Sequence, residues 1–276
     1  MNLDALPAPG AALAAAGIEA DKRFGQHFLL DLNVCRKIVR LAELEPGESV
    51  LEVGPGPGGL TRALLEADAR VVAVEADPRF ARLLEPLAEA APGRLRIIRA
   101  DALAVAESDL IAPNASIVAN LPYNIGSPLL VKWLTGPFRP RSMTLMFQKE
   151  VAERIIAGPG GGEYGRLGVL AQALCEARIV LDLPARAFTP PPKVDSAVVR
   201  LNPRADRPSD ARVAALQAVA KAAFGQRRKM LRSALRGLGG ELLCRSVGID
   251  PSARAETIPV AGFLALAEAV ERAGPA

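Results

Sequence analysis

The run Ser49-Val50-Leu51-Glu52-Val53, followed at once by Gly54-Pro55-Gly56-Pro57-Gly58-Gly59-Leu60-Thr61, limits the chain to a small set of folds. A short β-rich segment, a glycine loop and a return to helical spacing at Leu60, Leu64 and Leu65 form the strand, loop and helix that open a parallel α/β sheet. The next strand is predicted from Val71 to Val74 and ends at Glu75, 21 positions after Gly54, where a carboxylate can chelate a ribose diol. Further strands are predicted over Leu95 to Arg99, ending near Asp101, over Ile117 to Ala119, ending at Asn120, and over Met143 to Phe147. Strands alternating with helical stretches predict an α/β fold with a Rossmann-like parallel sheet and helices on both faces. In such sheets ligands gather at the carboxyl ends of the strands. Gly54, Glu75, Asp101 and Asn120 all fall there.

The glycine loop fits G-x-G-x-x-G, which alone would first point to a dinucleotide. However, Pro55 and Pro57 remove two backbone N–H donors that a pyrophosphate cradle would use, and no basic residue follows until Arg62. A nucleoside cofactor without phosphates fits better. S-adenosylmethionine has an amino-acid tail to cross the loop at Gly54 and Gly56, a ribose for Glu75, an adenine amine within reach of Asp101, and a sulfonium that tolerates Glu52. Two alternatives stay open: Glu52 as a solvated or capping carboxylate, and Asp101 as the N-cap before Ala102-Leu103.

The segment Asn120-Leu121-Pro122-Tyr123-Asn124-Ile125 suits a flat aromatic amine. Such an amine is a poor nucleophile because its lone pair is delocalised into the ring. The Asn120 side-chain oxygen and the Leu121 carbonyl can accept its two N–H groups and favour a pyramidal nitrogen. Pro122 fixes the turn and Tyr123 offers a stacking face. In isolation the polar turn closing a core strand is the better reading of these residues, and it is the neighbouring strand tips that reverse the order. Farther on, Phe188-Thr189-Pro190-Pro191-Pro192 pre-orders an extended segment that can hold the Phe188 ring opposite Tyr123; an ordinary buried phenylalanine is the competing reading.

Residues 1–20 are expected to form a flexible or loosely helical arm, 21–204 a catalytic domain and 205–276 a helical RNA-binding domain. A helix is predicted from Asp31 to Leu44, a terminal pair of strands over Arg178 to Leu183 and Ser196 to Leu201, and helices over Asp210 to Phe224, Arg228 to Leu238 and Val260 to Arg272. Between Ala211 and Gly240 there is no acidic residue, whereas Arg212, Lys221, Arg227, Arg228, Lys229, Arg232 and Arg236 are basic, which predicts a phosphate-binding face. Net charge of +4 leans the same way. Three distant cysteines indicate neither a disulfide framework nor a zinc site. With His27 the one histidine, a Ser-His-Asp hydrolase is hard to build and a His-rich metal site is impossible. No metal is expected, and no apolar run is long enough to span a bilayer.

With these motifs in place, the chain resembles the small-subunit rRNA adenine N6,N6-dimethyltransferase family from about Phe24 to Leu238. The carriers are Gln26-His27-Phe28-Leu29, Glu52 through Thr61, Asn120 through Ile125, Glu163-Tyr164-Gly165-Arg166-Leu167, Phe188 through Ser196 and Phe224-Gly225-Gln226-Arg227-Arg228-Lys229. The resemblance implies S-adenosylmethionine as donor and, as partner and substrate, 16S rRNA in the immature small ribosomal subunit. It implies an enzyme that dimethylates two adjacent adenosines near the 3′ end of that RNA; separately, the distant cysteines suit a reducing cytoplasm, and a monomer is expected. Carried onto this sequence, it places catalysis at Asn120, Leu121, Tyr123 and Phe188. Cofactor binding falls to Gln26, His27, Leu29, Glu52, Gly54, Gly56, Glu75, Asp101, Ala102 and Asn120, and RNA binding to Arg227, Arg228, Lys229 and Arg232. His27 departs from the asparagine usual in the family's Gln-Asn-Phe motif. Two rivals remain: a macrolide-resistance type methyltransferase of 23S rRNA, disfavoured by the Pro190-Pro191-Pro192-Lys193 segment and the Gln226 to Lys229 run, and a non-catalytic ribosome-assembly or nucleic-acid-binding factor using the basic helices.

Overall fold

The computed structural model describes residues 3–19, 26–226 and 228–274. In chain order the elements are α1 (Pro9–Ala15), β1 (Phe28–Leu29), α2 (Leu32–Leu41), β2 (Ser49–Val53), α3 (Gly59–Glu66), β3 (Arg70–Glu75), α4 (Pro78–Leu83), α5 (Glu85–Ala90), β4 (Leu95–Arg99), α6 (Glu107–Leu110) and β5 (Ser116–Asn120). There follow α7 (Gly126–Thr135), β6 (Met143–Gln148), α8 (Lys149–Ile156), α9 (Arg166–Leu174), β7 (Cys175–Leu183), β8 (Phe188–Thr189), β9 (Ser196–Pro203), α10 (Asp210–Gly225), α11 (Leu231–Ala234), α12 (Gly240–Ser246) and α13 (Val260–Ala273). Two compact units divide the chain. One comprises Met1–Trp133, Pro137–Ala152 and Arg178–Asn202, the other Leu134–Gly136, Glu153–Ala177 and Pro203–Ala276.

The first unit is built on a sheet of order β4-β3-β2-β5-β6-β9-β7. Strands β4, β3, β2, β5 and β6 run parallel, and β9 returns antiparallel to β6. The chain winds outward from β2 through β3 to β4, then crosses back to lay β5 on the other side of β2. A crevice opens at that reversal. Register decides which residues meet there. Val53 pairs with Val74 and Val50 with Ser116, so one further step brings Gly54 level with both Glu75 and Asn120.

Predicted and observed elements differ in two places for identifiable reasons. The helix expected from Arg228 to Leu238 is broken into α11 and a 3-10 turn at Arg236–Leu238, ending at Gly239 with φ 109°, and the chain restarts as α12. A two-stranded pairing of β1 with β8, Phe28 opposite Thr189 and Leu29 opposite Phe188, carries no local sequence signal.

The core of the first unit clusters Ile38 and Val39 of α2, Leu64 and Leu65 of α3, and Val50, Val71 and Val118 of the sheet. The N-terminal segment contributes Leu3 to it, and the buried Arg62 side chain donates to the carbonyls of Leu6 and Pro7. All three cysteines are buried and free; burial pushes the Cys35 and Cys175 thiols up to about 12, so neither is a thiolate at neutral pH. In the second unit Phe224 of α10 stacks on Phe263 of α13, and Tyr164 meets Phe224 edge-on. No helix among the described residues is long and apolar enough to cross a membrane.

Helix α3 begins so close to β1 that only glycine fits at Gly59. A Cβ there would lie 2.6 Å from the Leu29 carbonyl oxygen and 3.4 Å from Cys35 Sγ. Gly59→Ala is therefore expected to destabilise the protein by about 1–3 kcal/mol, read as a lower denaturant midpoint at unchanged slope.

Candidate active site

The crevice at the strand reversal holds a cavity of about 600 Å³, walled by the first unit alone. That volume falls in the usual range for small-molecule sites. Gln26, His27, Leu29, Glu52, Gly54, Gly56, Glu75, Asp101, Asn120, Leu121 and Tyr123 all line it. The sheet register makes this convergence unavoidable once β2, β3, β4 and β5 are neighbours.

Two expected residues stand elsewhere. Ala102 is buried just behind Asp101 and does not reach the cavity. Phe188 is 3% exposed and belongs to the core, because pairing with Leu29 turns β8 inward; of its two sequence readings, the buried phenylalanine is the one observed. Conversely Asp77, Arg79 and Phe80 line the wall without a sequence signal for ligand contact, and Phe28 of the Gln26 to Leu29 motif joins them. Asp77-Pro78 had only a capping signal, since the Asp77 side chain accepts from Arg79 N, and Phe80 at helical spacing reads as core.

At the cofactor end, Glu75 accepts hydrogen bonds from Gly56 N at 3.2 Å and Asp77 N at 2.9 Å. Gly56 takes φ 54°, and a Cβ there would press on the Phe28 ring at 3.2 Å, so glycine suits the loop where it passes β1. Burial raises the Glu75 carboxyl above its ordinary range, partly offset by those backbone donors. Glu52 is more extreme: it is 1% exposed, its Oε2 has no hydrogen-bond partner, and burial, reinforced by the charge of Glu75, pushes it up to about 8. An orphaned buried carboxylate oxygen beside a cavity calls for a cationic or N–H-bearing ligand. Asp101 is exposed and lines the cavity, and its Oδ1 accepts from Leu103 N at 2.9 Å; the bond closes a turn rather than capping a helix, since the next helix begins only at Glu107.

At the other end, Asn120 Nδ2 donates to the His27 carbonyl at 3.2 Å. A carbonyl can only accept, so this contact orients the amide and leaves Oδ1 as its acceptor end. The His27 ring stacks on Tyr123 with centroids 5.4 Å apart and planes 29° from parallel. Its Nδ1 donates to the Pro190 carbonyl at 2.8 Å, which fixes the tautomer as far as that nitrogen is concerned. Tyr123 Oη is hydrogen-bonded to Ser196 Oγ at 2.7 Å, and one ring face is covered by His27.

In the second unit Arg228, Lys229 and Arg232 are exposed; Arg227 lies outside the described residues. Arg212 departs from the expected one-sign face, since Glu271 and Glu268 of α13 hold it at 2.7 Å and 3.6 Å. Among the described residues no group of three or more His, Cys, Asp or Glu is placed to hold a metal ion.

An open α/β sheet with a glycine loop, an acidic residue at the second strand tip and a buried carboxylate against the cavity defines a Rossmann-like methyltransferase dependent on S-adenosylmethionine. The crystal structure of a dimethyladenosine transferase from Plasmodium falciparum is similar, with a TM-score of 0.72, 26% identity, and coverage of 87% of this chain and 96% of that one. The 23S rRNA methyltransferase ErmE is also similar, with a TM-score of 0.66, 30% identity, and coverage of 88% and 99%. The model of the family described as ribosomal RNA adenine dimethylase matches residues 17–272. A ribosomal RNA small subunit methyltransferase A from Phenylobacterium zucineum (strain HLK1) is 64% identical over 270 residues, covering 98% of this chain and 94% of its own length. The chain belongs to the ribosomal RNA adenine dimethylase family.

Proposed function

We propose that this chain methylates N6 of two adjacent adenosines, twice each, near the 3′ end of 16S rRNA in the immature small ribosomal subunit, and that it does so as a cytoplasmic monomer. The observation that carries the reading is the Asn120 amide. Its donor end is tied to His27 O beside Tyr123, so an acceptor oxygen is held ready for an aromatic amine. The relatives' small-subunit designation supports the choice of RNA.

When bound, S-adenosylmethionine supplies an electrophilic methyl group. Glu75 would hold its ribose, Asp101 its adenine amine, and Glu52 its cationic end, with Gly54, Gly56, Gln26, His27 and Leu29 forming the walls. Asn120 Oδ1 and the Leu121 carbonyl accept the N6 hydrogens and keep the lone pair directed along the line of attack. Tyr123 stacks on the extruded base with the face that His27 leaves free. Acceptors aimed at the developing ammonium lower the barrier, and the methylated nitrogen then sheds its proton to solvent without a protein base. After one transfer a single N–H remains, so one acceptor suffices for the second. Arg228, Lys229 and Arg232 neutralise phosphates, with Arg227 beside them in sequence.

The test supplies labelled S-adenosylmethionine to small subunits lacking the modification, to mature small subunits, to large subunits and to free DNA, and maps the label. Up to four methyl groups on two neighbouring adenines of the undermethylated small subunit are expected. Label in large-subunit RNA, or none anywhere, would overturn the reading.

A further inference from the structure

Beyond the strand tips, the turn after β4 depends on an unusual anchor. Asp101 organises the turn with its own atoms: its backbone oxygen accepts from Ala104 N and Val105 N at 2.9 and 3.2 Å, and its Oδ1 accepts from Leu103 N. Apolar packing contributes little, since Leu103 is 39% exposed and Ala102 is the one small residue buried before Glu107. The far side of the turn is held by Lys132. Its ammonium donates to Ala102 O at 2.8 Å, to Val105 O at 2.5 Å and to Glu107 Oε1 at 2.8 Å, which uses all three of its donors. Glu107, itself 6% exposed, also accepts from Trp133 Nε1 at 2.7 Å.

Lys132 and Trp133 sit on α7, which starts immediately after Ile125. The helix that follows the amine-binding turn therefore also grips the turn that presents Asp101. One helix thus touches both the amine-binding turn, at its start, and the turn after β4, through Lys132.

We propose that Lys132 is a positioning residue for the adenine end of the cofactor: by holding the carbonyls of Ala102 and Val105, it fixes the turn in the shape that presents Asp101 to the exocyclic amine. The inference rests on the reading of Asp101 as the contact to that amine. Lys132 touches no ligand itself; its effect passes entirely through the turn.

Equilibrium binding of S-adenosylhomocysteine and of its analogue lacking the 6-amino group, by titration calorimetry, tests this in the full chain. Lys132→Met alone would leave the buried Glu107 without its counter-ion, so the informative protein is Lys132→Met with Glu107→Gln, compared with the wild type and Asp101→Ala. Both variants are expected to bind S-adenosylhomocysteine about tenfold more weakly and the 6-deamino analogue as the wild type does. The triple variant should be no worse than Asp101→Ala alone. If Asp101→Ala discriminates between the two ligands and the Lys132 variant does not, the proposal fails while the Asp101 reading stands. Equal weakening for both ligands would show a merely structural lysine and also overturn it. If Asp101→Ala itself fails to discriminate, the Asp101 reading falls and takes the proposal with it.

Discussion

Asn120→Ala is expected to lower methyl transfer by about 10²–10³-fold while S-adenosylmethionine still binds, because the change removes an acceptor that matters most as the nitrogen becomes positive. Single-turnover incorporation separates this from a binding defect. Asn120→Asp is the sharper comparison. It keeps an acceptor and adds a negative charge that would favour the ammonium, yet it loses the Nδ2 donor that holds the side chain on His27 O at 3.2 Å. A carboxylate oxygen would instead face that carbonyl and be repelled. Aspartate is therefore expected to be impaired, showing that orientation outweighs charge. Turnover close to wild type in the alanine variant would remove Asn120 from the mechanism, and an aspartate variant as fast as the wild type would reverse the order of the two effects.

Glu52→Gln should trade binding for stability. The Glu52 carboxyl, pushed up to about 8 by burial and then by Glu75, titrates near 4.5 in an unfolded chain. Between those values the folded protein holds a proton that the unfolded chain has released. The stability this provides is full below 4.5, declines as pH rises and is gone above 8, a loss on the order of 5 kcal/mol. Glutamine carries no such penalty, so at pH values of about 8.5 its Tm should exceed the wild type's by roughly 5–10 °C, with the two curves converging in acid. A cationic cofactor reverses the preference, favouring ionised Glu52. Relative to the glutamine variant, which cancels the ligand's own titration, wild-type affinity for S-adenosylmethionine should rise about tenfold between roughly pH 7 and 9, with proton release on binding at the lower end. A wild-type affinity curve parallel to that of the variant would mean that Glu52 does not meet the cation.

Much of this site is legible in sequence because the sheet is parallel and its tips are chemically marked. Gly54, Glu75, Asp101 and Asn120 each end a short apolar run, and neighbouring strands in register must bring such ends together. What sequence could not supply is contact between distant segments whose local signals are ordinary. Phe188 was ambiguous until its pairing with Leu29 turned it into the core. The partners of Arg212 lie on α13, so an acid-free stretch of sequence did not mean an acid-free surface. The helix expected through Leu238 stops at Ala234, and the chain tightens into a 3-10 turn closed by Gly239 at φ 109°. The grip of Lys132 on the Asp101 turn joins residues some thirty positions apart, each of which reads as unremarkable alone.

Trp133 is the one tryptophan in the chain, is 2% exposed, and shares the Glu107 carboxylate with Lys132. Ultraviolet light at the red edge of protein absorption therefore excites a single indole that is shielded from water and hydrogen-bonded to a carboxylate. Its emission colour and lifetime report on the Glu107 carboxylate that Lys132 also holds, with no label added. The protein thus carries an intrinsic optical gauge of the Lys132 anchor, suited to stopped-flow measurement of how fast the turn after β4 settles.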